Sequence, residues 1–250
     1  MMTKLLLTVL SALLISNSAQ ADDRIYELRT YYANEGKLDA LHARFRDHTV
    51  GLFEKHGMTN VGYWVPQNNQ SNALVYLMAY PDKAARDASW KAFMGDPDWK
   101  KAYAESTKVG KLVKKVDNQF LKTTDYSPEL KIEKKDPARL FELRIYTTNE
   151  DKLKNLNARF RDHTVELFEK HGLENIIYLN LVEGEKGAKN QLVYFIAHKD
   201  EDAKKTNFKK FSSDPDWKKA RADSEKDGKI LVQNGVSSTL LVPTDYSPLK

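Results

Sequence analysis

The segment ARFRDHTVGLFEKHG, Ala43–Gly57, returns as ARFRDHTVELFEKHG at Ala158–Gly172, with Gly51 replaced by Glu166 as the single difference. The likeness is wider than this segment: Arg24–Asn60 and Arg139–Asn175 agree at 25 of 37 positions. NALVYLMAY (Asn72–Tyr80) pairs with NQLVYFIAH (Asn190–His198), GDPDWKKA (Gly95–Ala102) with SDPDWKKA (Ser213–Ala220), and both copies end on TDYSP, at Thr124–Pro128 and Thr244–Pro248. Two copies of this size are too few and too large for a solenoid, whose repeats are 20–50 residues long. The chain therefore reads as a fused pair of domains, 22–128 and 139–250, joined by a charged, proline-containing linker at 129–138.

Periodicity orders each copy. RIYELRTYY (Arg24–Tyr32) is rich in aromatic residues and reads as a strand, and Lys37–His56 has helical spacing that stops at Gly57. Asn60–Pro66 and Ala73–Tyr80 read as strands. A helical region follows over Lys83–Val113, with a restart at Asp96-Pro97, and the last strand is Val116–Thr124. The order β-α-β-β-α-β is the ferredoxin-like arrangement, an α+β fold.

The first residues stand apart. Lys4 precedes an apolar run of 11 residues, Leu5–Ile15, and Ala19-Gln20-Ala21 offers an A-x-A cleavage site. A membrane span needs about 20 apolar residues, so 1–21 reads as a cleaved bacterial signal peptide and the mature chain as a periplasmic or secreted protein. It contains no cysteine, which excludes disulfides, thiolate metal sites and cysteine nucleophiles. The formal net charge is +5, spread among alternating acids and bases, which speaks against a nucleic-acid partner.

Side chains alternate along a strand. Tyr26, Leu28 and Thr30 share one face of the first strand, suited to lie under helices. The other face carries Glu27, Arg29 and Tyr31, repeated as Glu142, Arg144 and Tyr146. If the two open sheet faces pack together, this polar face lies inside, beside Leu74, Tyr76 and Met78. There it either satisfies itself or contacts a ligand. On the first helix Leu38, Leu41, Phe45 and Leu52 form an apolar stripe, and His48, like His163 in the second copy, fills the gap at its edge; Arg44, Asp47 and Glu54 point away. A partly buried, hydrogen-bonded imidazole is the simple reading, and a ligand-binding group or general base the sharper one. His56 and His171 suit a helix C-terminus, and Trp99 and Trp217 read as core aromatics. No histidine or carboxylate spacing marks a metal site, and nothing in the residues calls for a cofactor.

Taken together, YELRTYY, the histidine-bearing helix closed by HG, GYWVP, NALVYLMAY and DPDW resemble the NIPSNAP family of the dimeric α/β-barrel superfamily, over Arg24–Pro128 and Arg139–Pro248. The resemblance implies ferredoxin-like domains whose sheets pair into a barrel. Here one chain supplies both halves as an intramolecular pseudo-dimer, which leaves homo-dimerisation open. The family implies no single reaction, and the superfamily includes cofactor-independent monooxygenases and haem enzymes. Three roles fit: a module that binds a small molecule or an envelope protein through the barrel, an enzyme using His48 or His163, or an assembly element. Trp64 is matched by Leu179, Tyr80 by His198 and the loop connecting the second and third strands, QNNQSN, by VEGEKGAKN, so a pocket is expected to survive in only one half.

Overall fold

The computed structural model describes residues 24–250; the signal peptide expected at 1–21 lies outside the described residues. The first repeat comprises β1 (Ile25–Ala33), α1 (Leu38–Arg44), a π-helical turn (Phe45–Thr49), α2 (Val50–Lys55), β2 (Thr59–Pro66), β3 (Ala73–Tyr80), α3 (Lys83–Gly95), α4 (Pro97–Thr107) and β4 (Val113–Thr123). The second repeats this order: β5 (Leu140–Thr148), α5 (Leu153–Arg159), a π-helical turn (Phe160–Thr164), α6 (Val165–Lys170), β6 (Glu174–Leu181), β7 (Gln191–His198), α7 (Glu201–Ser213), α8 (Pro215–Ser224) and β8 (Leu231–Pro243). The expected β-α-β-β-α-β order is observed in both. Asp96 caps α4 by accepting the Asp98 N–H at 2.8 Å, and Gly57 supplies the positive φ of 73° that ends α2. His56 and His171 reach across to these caps, each 2.7 Å from the carboxylate of Asp96 or Asp214.

The two sheets close into one barrel of order β1-β3-β2-β8-β5-β7-β6-β4. Closure is made by exchange between repeats: β8 pairs with β2 through Trp64 and Pro243, and β4 pairs with β6 through Thr123 and Leu179. The repeated TDYSP motifs extend this exchange. Asp245 takes the Arg46 guanidinium, and Tyr246 lies 2.8 Å from His42 Nδ1. In mirror fashion Asp125 takes Arg161, and the Tyr126 hydroxyl donates to Asn157 at 2.8 Å. The duplicated RFRD segment is therefore the grip by which each repeat holds the other's end.

The barrel interior is apolar, with Tyr26, Leu28, Val61, Trp64, Leu77 and Val75 packed against Phe141, Leu179 and Phe195 of the other half. This reverses the expected sidedness of β1. Glu27, Arg29 and Tyr31, with Leu74, Tyr76 and Met78 of β3, face outward beneath the helices. The polar face lies there because α3 supplies a cation and an indole N–H to meet it, which the opposing sheet does not.

Trp64 also explains one difference between the repeats. A Cβ on Gly62 would lie 2.2 Å from the Trp64 ring, so the large ring is accommodated by the missing side chain two residues earlier. In the second repeat Ile177 and Leu179 hold these positions, distributing the volume evenly. Gly62→Ala is expected to cost about 1–3 kcal/mol through overpacking. Adding Trp64→Leu should recover most of that loss, as read from urea midpoints; no recovery would break the proposed coupling.

Candidate functional site

The polar face of β1 is organised around Glu27, which is fully buried. Its carboxylate accepts from Arg86 Nε at 2.9 Å and Nη2 at 2.7 Å, from the Tyr80 hydroxyl at 3.4 Å, and from Arg29. Trp90 Nε1 donates to Tyr80 at 2.9 Å, and the Arg29 guanidinium lies 4.5 Å from the Trp90 ring centre. The second repeat solves the same problem with different groups. Glu142 accepts from Arg144, from Ser238 and from His198 Nε2 at 2.9 Å, with Lys204 Nζ at 4.0 Å. Burial alone would raise the Glu142 carboxyl, but the His198 hydrogen bond, the Arg144 charge, Ser238 and Lys204 outweigh it and hold the group at about 2. The Tyr80-to-His198 change thus belongs to this network. Both carboxylates are consumed by their protein partners.

The open space lies next to these clusters, between the helices and the outer sheet face. In the first repeat a cavity of about 300 Å³ is lined by Arg29, Tyr31, Arg44, Phe45, Trp90 and Trp99, among others. In the second a cavity of about 500 Å³ is lined by Tyr146, Arg159, Phe160, Trp217, Arg221 and Glu225, among others. These are equivalent positions, so the expectation that only one half keeps a pocket is corrected: the altered Trp64 and Tyr80 positions do not line either cavity. Tyr31, Arg44, Phe45, Thr49, Phe53, Phe93 and Trp99 are all unchanged in the second repeat. The two pockets differ toward the C-terminal end of α4 and α8, where Tyr103 faces Arg221 and Thr107 faces Glu225 in the alignment.

Arg44 is the residue that helical spacing places wrongly. It is 6% exposed and Arg159 is 4% exposed, while His48 and His163 lie on the solvent side, outside both pockets. The π-helical turn is the cause. Val50 N–H bonds to Phe45 O, one residue further than in an α-helix, and the Thr49 hydroxyl donates to Arg44 O at 3.1 Å. The extra residue turns Thr49 inward where regular spacing would place His48. His163 instead borders a separate pocket of about 300 Å³ with Asp162, Glu166 and Lys219.

The Arg44 guanidinium lies 5.3 Å from the Trp99 ring centre and 5.4 Å from that of Tyr103. Burial lowers its pKa from the usual arginine value, partly offset by Tyr31, Tyr103 and Tyr76, yet an arginine remains protonated. Buried guanidinium, phenol hydroxyls and aromatic walls set hydrogen-bond donors beside an apolar surface in this cavity. Glu27 and Glu142 lie behind this lining, whereas Arg29, Tyr31 and Tyr146 form part of it.

A closed barrel assembled from two ferredoxin-like halves, each with a pocket under its helices, places the chain among α/β-barrel proteins of the dimeric type, folded here as one polypeptide. The NIPSNAP family model matches residues 26–128 and again 141–248, and the chain belongs to that family. Among solved structures it is similar to a proposed monooxygenase from Fusobacterium nucleatum, with 14% identity, a TM-score of 0.55, and coverage of 88% of this chain and 92% of that one. A proposed monooxygenase from Lactobacillus acidophilus NCFM shows 12% identity and a TM-score of 0.54, covering 88% of this chain and 93% of that one. An uncharacterised NIPSNAP domain protein from Burkholderia xenovorans is 22% identical over 42% of this chain and 99% of its own, with a TM-score of 0.38. Among curated proteins none matches the sequence. At these identities the similarity establishes fold, not reaction.

Proposed function

We propose that the protein is a small-molecule binding module that holds its ligand beneath the helices of each repeat rather than inside the barrel. The carrying observation is the pair of equivalent cavities that share a buried arginine and the rings of Tyr31, Phe45, Phe53, Phe93 and Trp99, or their counterparts, in both repeats. Arg29, Tyr31, Arg144 and Tyr146 act in this reading as ligand-facing or ligand-supporting groups, Arg44 and Arg159 as the central donors, and Glu27 and Glu142 as the supports that fix the neighbouring arginines. His48 and His163 take no part. The apolar run at Leu5–Ile15 supports export, which would make the ligand one met in the periplasm or the medium.

Native mass spectrometry on protein purified gently from the cell envelope tests the reading. A retained small molecule on a chain beginning near Asp22 is expected, lost when Val113→Trp fills the first cavity and Leu231→Trp the second. Retention of the same molecule by the doubly filled variant would overturn it.

A further inference from the structure

The two repeats provide an internal comparison. Arg159 Nη1 donates to the Ser224 hydroxyl at 3.3 Å and also to Glu225 Oε1 at 3.4 Å. Arg44 Nη1 donates to the equivalent Ser106 hydroxyl at the same 3.3 Å, but the position of Glu225 is held by Thr107, whose hydroxyl turns back to Tyr103 O at 2.7 Å. Arg44 forms no ion pair among the described residues; its Nε, like that of Arg159, is buried without a hydrogen-bond partner, so the difference between the repeats is the missing carboxylate. Arg29 shows a second difference. Arg144 Nε donates to the Tyr194 hydroxyl at 2.8 Å, whereas the Arg29 Nε is buried without a partner.

A buried guanidinium lacking a counter-charge is costly to maintain, and charge-assisted hydrogen bonds to a carboxylate are the strongest compensation available to it. The cationic neighbours of Arg44 use the nearby carboxylates: Arg29 and Arg86 face Glu27, and Asp87 is shared by Arg86 and Lys83, which leaves no carboxylate for Arg44. The approach to Arg44 is apolar. Met94 at 54% exposure, Tyr103 at 46% and Val116 at 40% line the cavity while still reaching solvent, large hydrophobic side chains that the fold leaves uncovered.

We infer that the first-repeat pocket takes a small organic monoanion, its carboxylate seated on Arg44 where Glu225 sits on Arg159, and its apolar or aromatic body between Trp90, Trp99 and Tyr103. In the second repeat the protein's own carboxylate fills that seat, so the two pockets, though built on one plan, select different ligands. The inference rests on the binding reading above and adds the ligand's charge and its restriction to one repeat.

The test is a tryptophan-fluorescence titration of the full chain with benzoate, benzyl alcohol and inorganic phosphate. Trp90 and Trp99 line the site and report on it. Saturable binding of benzoate is expected, with benzyl alcohol and phosphate at least about tenfold weaker, since a lost charge-assisted pair is worth about that factor or more. Thr107→Glu, which copies the second repeat, should weaken benzoate at least about tenfold, whereas Thr107→Val should retain it. Glu225→Thr should add a second benzoate site per chain. Equal binding of benzyl alcohol, an unaffected Thr107→Glu variant, or preference for phosphate would overturn the monoanion assignment and leave the pocket reading standing. Saturable binding of none of the three would overturn both.

Discussion

Replacing Glu27 by alanine is expected to destabilise the protein by about 3–5 kcal/mol, the usual cost of removing one partner from a buried ion pair. Glu27 is fully buried, and Arg29 and Arg86 both direct N–H groups at it. Without it, Arg29 keeps Tyr31 at 3.3 Å and the Trp90 ring, but no opposite charge. Arg86 retains Asp87 at 3.1 Å and 17% exposure of its side chain, so the loss falls mainly on Arg29. Glu27→Gln keeps the shape and one acceptor and should be milder. The check is the urea midpoint at constant m value, and a Glu27→Ala variant within about 1 kcal/mol of the parent would show the cluster to be solvated.

The second large effect is acid sensitivity through Glu142. Its folded value of about 2 lies below its ordinary 4.5, so the folded state binds this proton more weakly than the unfolded chain does. The stabilisation is complete above pH 4.5 and is lost as the pH falls toward 2. At about 1.4 kcal/mol for each pH unit, the gap amounts to about 3 kcal/mol. Glu142→Gln removes the titrating group, so the difference between variant and parent should be large at pH 7 and shrink steadily below pH 4.5. A difference that stays constant down to the lowest pH at which the fold survives would contradict this assignment.

These two carboxylates show what the sequence made readable. The repeat, the strand alternation and the caps at Asp96 and Gly57 were all legible, and they led to the right element order because each is a local signal. The sidedness of β1 was not. A period of two separates Glu27, Arg29 and Tyr31 from Tyr26 and Leu28 but says nothing about which set faces the helices; that depends on Arg86 and Trp90, about sixty residues away. Arg44 was hidden for another reason. A helical wheel assumes 3.6 residues per turn, and the wide turn at Phe45–Thr49 breaks that spacing, exchanging an expected inward His48 for Thr49 and leaving a charged residue buried. The one available signal was the identity of Arg44 and Arg159 beside the identical Trp99 and Trp217. The meaning of Thr107 against Glu225 emerged only once both arginines were seen to point into cavities.

The most direct measurement is a crystal structure of the protein soaked with 4-bromobenzoate, with the bromine located by anomalous scattering. The binding account predicts a single strong peak per chain in the first-repeat cavity, between Trp90 and Trp99, with the carboxylate on Arg44. A peak at the barrel mouth near Thr30 and Ile145, where a separate cavity of about 560 Å³ opens, would move binding to the barrel end and contradict it.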